Sequence, residues 1–126
     1  MATLKKLGYV SYPVKHWEQA KKFYGETLGL PVAWYQGDDV GWMEFGDHGG
    51  AHLAISWYRD GQPMPAKDNG VVAIFEVDDA FKAVDELRAK GVRCDTPIGI
   101  PGMVTYASFY DPEGNRLQIA GPPPTS

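Results

Sequence analysis

From residue 7 to 14 hydrophobic and polar positions alternate, with Tyr9 and Ser11 on one face and Val10, Tyr12 and Val14 on the other. That period of two predicts a strand, and Pro13 places it at a sheet edge or strand end. The period then changes. Trp17, Ala20, Phe23, Tyr24 and Leu28 recur at spacings of three and four, which predicts a core-facing helix over residues 17–28, stopped by Gly29 in the left-handed conformation. Residues 31–36 can form a second strand and Asp38-Asp39 a turn. Residues 40–45 follow as a third strand, Gly46-Asp47-His48-Gly49-Gly50 as a loop, and residues 51–57 as a strictly alternating fourth strand. Residues 58–69 carry glycine, proline and polar residues without a period, and read as a linker long enough to double as a lid.

The pattern then restarts. Residues 71–77 predict a strand and Asp78 an N-cap. Ala80, Phe81, Val84 and Leu87 predict a helix with an apolar stripe that makes Phe81 a core residue, and Gly91 is its stop. Residues 92–96 form a short strand and residues 97–103, with two glycines and two prolines, a connecting loop. Asp111-Pro112-Glu113-Gly114-Asn115 is a turn, because Pro112 presets φ and Gly114 or Asn115 accepts a positive one; it joins strands over residues 104–110 and 116–120 as a hairpin. Each half therefore reads β-α-β-β-β. The offset that lays Val14-Lys15-His16 on Val77-Asp78-Asp79 also lays Ala20 on Ala83 and Tyr9 on Val72, while His52 falls opposite Gln118. Two such repeats should pair about a pseudo-twofold axis.

At 126 residues, 44% hydrophobic and 13% aromatic, the chain suits one compact domain. Module one covers about 5–57, the linker about 58–70, module two about 71–120, and residues 121–126 form a proline-rich mobile tail. A net charge of −4 without a Lys/Arg cluster argues against nucleic-acid partners. No leader or bilayer-length apolar run is evident, so the expected location is cytoplasmic, with no membrane partner. Cys94 has no second cysteine with which to form a disulfide or a CxxC half-site.

Three motifs now lie in order within a duplicated chain: Phe23-Tyr24-Gly25-Glu26-Thr27-Leu28-Gly29-Leu30, Val77-Asp78-Asp79 ahead of Leu87-Arg88-Ala89-Lys90-Gly91-Val92, and Asp111-Pro112-Glu113-Gly114-Asn115. In these the chain resembles the vicinal oxygen chelate superfamily, also called the glyoxalase/bleomycin resistance/dioxygenase family. The resemblance implies an α+β fold in which two β-α-β-β-β modules form curved mixed sheets around a cavity, as in dihydroxybiphenyl dioxygenase, and usually a homodimer. It also implies metal-ligand positions on the first and last strand of each module, which here are Tyr9, His52, Val72 and Gln118. Val72 offers no lone pair, so the usual metal site reads as absent or crippled, leaving a weaker set of His52, Gln118 and Glu44 for a divalent metal. No cofactor is otherwise expected.

Strand alternation gives a lining without the family. Pairing across the Gly46-to-Gly50 loop sets Phe45 opposite Ala51 and Glu44 opposite His52, with Trp42, Ala54 and Ser56 on the same face. Across Asp111-to-Asn115, Ser108 opposes Gln118 and Tyr106 opposes Ala120. Adding Tyr9, Ser11, Val72, Ile74 and Glu76 gives an aromatic wall with a few polar groups, the character of a small-molecule site. The candidate ligand-binding residues are therefore Tyr9, Ser11, Trp42, Glu44, His52, Ser56, Tyr106, Ser108 and Gln118, with His52 and Glu44 as candidate catalytic residues. His16 and His48 read as surface residues.

The reading that follows is a bleomycin-resistance-type binding protein that sequesters an aromatic or cationic small molecule, a role related to antibiotic resistance, with Glu44 favouring a cation. Two alternatives belong to other classes. One is a lyase or isomerase of the glyoxalase or epimerase type, metal-dependent or not, in which His52 or Glu44 moves a proton. The other is a noncatalytic dimeric interaction module.

Overall fold

The computed structural model describes residues 7–47, 49–63 and 71–124. The chain divides into two compact units, Met1–Pro65 and Ala66–Ser126. Much of the proposed lid, residues 64–70, and His48 lie outside the described residues.

The first unit runs β1 (Tyr9–Val14), α1 (Trp17–Lys22), a π-helical continuation (Phe23–Thr27), β2 (Val32–Tyr35), β3 (Trp42–Phe45) and β4 (His52–Trp57). Its sheet has the order β1-β4-β3-β2, with β1 parallel to β4 and the other pairs antiparallel. Pro13 is tolerated because β1 is an edge. The single helix expected over residues 17–28 widens after Lys22, and Leu28 N–H bonds the Phe23 carbonyl at 2.8 Å, five residues back. Phe23 and Tyr24 are neighbours in sequence and both are buried, in edge-to-face contact. Turning two adjacent rings inward favours the wider turn. Gly29, at φ 71°, ends it. Tyr24, Phe45, Ile55 and Val14 are the largest fully buried side chains of this unit.

The β3–β4 register corrects the expected pairing. Phe45 lies opposite Leu53 and Glu44 opposite Ala54, not Ala51 and His52. The connection is longer than Gly46-to-Gly50: Ala51 lies outside the ladder, and His52 N–H bonds the Gly8 carbonyl on the β1 side. A shift of two residues leaves every side chain on its expected face.

The second unit runs β5 (Ala73–Glu76), α2 (Ala80–Ala89), β6 (Arg93–Cys94), β7 (Ile98–Ile100), β8 (Val104–Tyr110) and β9 (Arg116–Gly121). Its path β5-β9-β8-β6 mirrors that of the first unit, with β7 pairing β8 as an addition. The segment expected to be a plain loop over residues 97–103 thus contains a strand; Ile100 accepts from Met103 N–H across a turn in which Gly102 has φ 73°. Ser108 pairs with Gln118 and Tyr106 with Ala120, the register read from the sequence. β9 continues through Gly121, which pairs with Thr105. A Cβ at Gly121 would stand 3.2 Å from both the Ala80 nitrogen and the Val77 carbonyl, so only glycine lets α2 start this close to the sheet.

Two further corrections concern α2. Its N-cap is Asp79, not Asp78: the Asp79 carboxylate accepts from Phe81 N–H at 3.0 Å and Lys82 N–H at 3.2 Å. Phe81 is 54% exposed, so the helix buries Ala80 and Val84 and turns the ring outward. Asp79→Ala should cost about 1 kcal/mol of stability, while Asp78→Ala should cost almost none. Urea denaturation of the two variants checks this; equal losses would place the cap at both residues. Among the described residues, no helix is long and apolar enough to cross a membrane.

Candidate functional site

The candidate residues fall into two clusters, one on each sheet. On the first, parallel pairing sets Tyr9 beside His52 and Ser11 beside Ala54, and antiparallel pairing sets Trp42 beside Ser56 and Glu44 beside Ala54. Tyr9, Ser11, Trp42, Glu44, His52 and Ser56 therefore share one face, since residues two apart on a strand point the same way. Four of them join directly. The Tyr9 ring meets the Trp42 ring edge-on, with centroids 5.2 Å apart at 77°. Trp42 Nε1–H donates to Glu44 Oε2 at 2.9 Å. The other carboxylate oxygen, Oε1, lies 2.8 Å from His52 Nδ1. His52 Nε2 in turn lies 3.0 Å from the Asp47 carbonyl oxygen.

Both His52 nitrogens thus face acceptors, so the arrangement is complete when the imidazole carries two protons and donates from each. Glu44 and His52 are diagonal neighbours in the observed register, yet a long side chain spans that gap. The His52 hydrogen bond, then that of Trp42, holds the Glu44 carboxyl below its ordinary value of 4.5, against the opposing effect of burial. Because the folded-state value is depressed, this stabilisation is present above pH 4.5 and disappears as pH falls through the lower folded value. The stability difference between the native protein and Glu44→Gln should therefore shrink on acidification below pH 4.5 in a urea series. A difference that is constant across that range would show that the carboxylate is not held by these donors.

On the second sheet Gln118 Nε2–H donates to Ser108 Oγ at 3.2 Å, directly across the β8–β9 pair, and half-buried Tyr106 is two residues along the same face. The neighbour of Gln118 on β5 is Ile74, not the Val72 expected from the repeat offset; Val72 precedes the strand.

Two arrangements escaped the sequence reading. In the first unit Asp38 accepts from Trp17 Nε1–H at 2.8 Å, from Lys21 Nζ at 2.8 Å and from the Tyr35 hydroxyl. These bonds, Lys21's first, push the Asp38 carboxyl well below its usual range. Trp17 stacks on Trp57, whose outer side carries the Arg59 guanidinium at 4.1 Å, and Arg59 also donates to the carbonyls of Asp38 and Asp39. This network fastens the turn before β3 to α1. In the second unit Arg93 lies 3.9 Å over the Tyr110 ring, whose hydroxyl donates to Asp95 at 2.7 Å. The signal for it was the Arg93–Tyr110 pairing of β6 with β8, which a two-residue strand hides.

A family model described as the Glyoxalase/Bleomycin resistance protein/Dioxygenase superfamily matches residues 6–119. The chain belongs to that superfamily. Among its similar relatives is the uncharacterized protein YetH of Bacillus subtilis, 25% identical over 117 residues that cover 89% of this chain and 94% of that protein. The crystal structure of TnmS3, an antibiotic binding protein from Streptomyces sp. CB03234, is similar at 26% identity and a TM-score of 0.75, covering 97% of this chain and 99% of that one. A glyoxalase/bleomycin resistance protein from the same organism is similar at 27% identity and a TM-score of 0.68, covering 90% and 98%.

The metal positions that membership in the superfamily would assign to this chain fit a divalent ion poorly. In the first unit both His52 nitrogens and both Glu44 oxygens already have hydrogen-bond partners; in the second, the position beside Gln118 is Ile74, which brings only hydrocarbon. Among the described residues, no three His, Cys, Asp or Glu side chains converge as a metal-binding group.

Proposed function

We infer that this superfamily member binds and sequesters a planar aromatic small molecule on the first-sheet face built by Tyr9 and Trp42. The observation that carries the reading is the locked indole. Glu44 holds the Trp42 nitrogen, His52 holds Glu44, and the Tyr9 ring, 50% exposed, stands edge-on beside it. An aromatic surface fixed before the ligand arrives loses little side-chain entropy on binding. The likeness to an antibiotic binding protein across nearly the whole chain supports the same reading.

The Glu44 charge is met by His52 and Trp42, so ring surface, not positive charge, is the feature this wall recognises. For the same reason the lyase or isomerase alternative is the weaker one: a general base needs a ring nitrogen or carboxylate oxygen turned to the substrate. Calorimetric titration with neutral and cationic two- and three-ring aromatics tests the proposal. It expects saturable one-to-one binding by both charge types and unchanged ligand on recovery. No saturable binding across the series, or conversion of a ligand, would contradict it. Homodimerisation, part of the same reading, would cover the exposed Val32 and Trp34 of edge strand β2.

A further inference from the structure

β2 carries one residue more than its pairing with β3 needs. Val32 lies opposite Phe45 and Trp34 opposite Glu44, so two residues of β2 answer a single step on β3 and Ala33 is the extra one. A bulge of this kind re-aims the side chains that follow it. Without Ala33, alternation would set Trp34 on the same face as Val32 and Phe45, where Phe45 packs on Tyr24 of the π-helical continuation. With it, Trp34 joins the face of Glu44, and Tyr35 turns back to meet Lys21 of α1. One cross-strand row, Ser11, Ala54, Glu44 and Trp34, then runs over all four strands of the first sheet.

Three of the four tryptophans are occupied: Trp17 and Trp57 stack on each other, and Trp42 is held by Glu44 and Tyr9. Trp34 is not. Among the described residues its ring has neither a hydrogen-bond partner nor a ring contact, and it is 42% exposed. Its place relative to Trp42 defines a gap. Both flank Glu44, Trp42 two residues along β3 and Trp34 directly across on β2, which makes the two indoles diagonal neighbours with Cα atoms about 7–8 Å apart. Tyr9 comes from β1, the opposite edge of the sheet, so it closes one flank of Trp42 and leaves the β2 flank to Trp34. Carbon atoms touch at about 3.5–4.0 Å, so a gap of this width takes one planar ring system with a ring face on either side. A saturated cage is too thick for it.

We propose that Trp34 is a further binding residue of the first-sheet site, the second wall of a slot in which a planar aromatic ligand is sandwiched against Trp42. Trp34 thereby extends the first-sheet reading, on which this assignment rests, and limits the thickness of the ligand. The test is calorimetric titration of the full chain with acridine at mildly alkaline pH, where its ring nitrogen is neutral. Trp34→Leu, which keeps apolar bulk and removes the ring, should weaken binding about tenfold, and Trp34→Phe should retain most of it. Adamantanol, apolar but without a planar face, should not bind. Both variants should keep the native melting temperature and sedimentation coefficient, because Trp34 is exposed on an edge strand. Acridine binding that is lost in Trp42→Ala but unchanged in Trp34→Leu would overturn the slot and leave the first-sheet reading standing, whereas no binding to the native protein would overturn both. Adamantanol bound as tightly as acridine would also overturn the slot. So would a loss in Trp34→Leu that comes only with a changed sedimentation coefficient, which would place Trp34 in a contact between copies of the chain.

Discussion

Asp111→Ala is expected to lower stability by about 3 kcal/mol, the largest loss expected here from a single polar side chain. Asp111 is only 5% exposed, and its carboxylate organises the turn between β8 and β9. Oδ1 accepts from Glu113 N–H at 3.0 Å and Asn115 N–H at 2.8 Å, and Oδ2 accepts from the Asn115 side-chain amide at 2.8 Å. The Asp111 N–H closes the loop onto the Asn115 carbonyl at 3.0 Å, while Gly114 supplies the positive φ of 86°. Alanine removes the acceptor and strands the two Asn115 donors, which are themselves buried, and this costs more than the hydrogen bonds alone contribute. Asp111→Asn should fall between the two, because its NH₂ must face another donor. A drop in melting temperature of roughly 10 °C for the alanine variant, read by circular dichroism, is the expected result. A drop of less than about 2 °C would mean that Pro112 and Gly114 set the turn without the carboxylate.

Trp42→Ala should weaken aromatic-ligand binding on the order of 30-fold, about 2 kcal/mol, the size expected of a central aromatic anchor. Glu44→Gln should weaken it less, about fivefold, by loosening the indole while leaving the ring in place. The order of these effects matters more than their size. If Glu44→Gln costs more than Trp42→Ala for a neutral ligand, the carboxylate touches the ligand directly and the indole is only its neighbour. Calorimetry on the two variants with the same neutral ligand separates the cases.

How far the sequence led can be judged element by element. Side-chain faces were legible because strand alternation survives a register error of two: Glu44 was placed opposite the wrong residue, yet its meeting with His52 stands. The β8–β9 register was legible because the Asp111-to-Asn115 turn fixes its own length. The cap of α2 was misplaced by one residue, since Asp78 and Asp79 are both good caps by type and only backbone geometry chooses. Phe81 faces outward because the stripe that α2 buries runs through Ala80 and Val84, four residues apart, and not through its neighbour. β7 was hidden because Pro97, Gly99, Pro101 and Gly102 read as a loop, although Ile98 and Ile100 alternate around a glycine. The π-helical turn has no sequence signature beyond two adjacent buried aromatics, Phe23 and Tyr24. The Trp42-to-Glu44 bond and the Arg93–Tyr110 stack depend on rotamers, which a pattern of faces does not specify.

The locked indole also provides the most direct readout of the binding proposal. The chain has four tryptophans, so a nitrogen-15 correlation spectrum carries four indole N–H signals, and Trp42→Phe assigns one of them by its loss. Titration with a saturating planar aromatic ligand should move the Trp42 signal furthest and leave that of Trp17, buried and bonded to Asp38, nearly still. Movement confined to other indoles, with the Trp42 signal unchanged at saturation, would contradict the account.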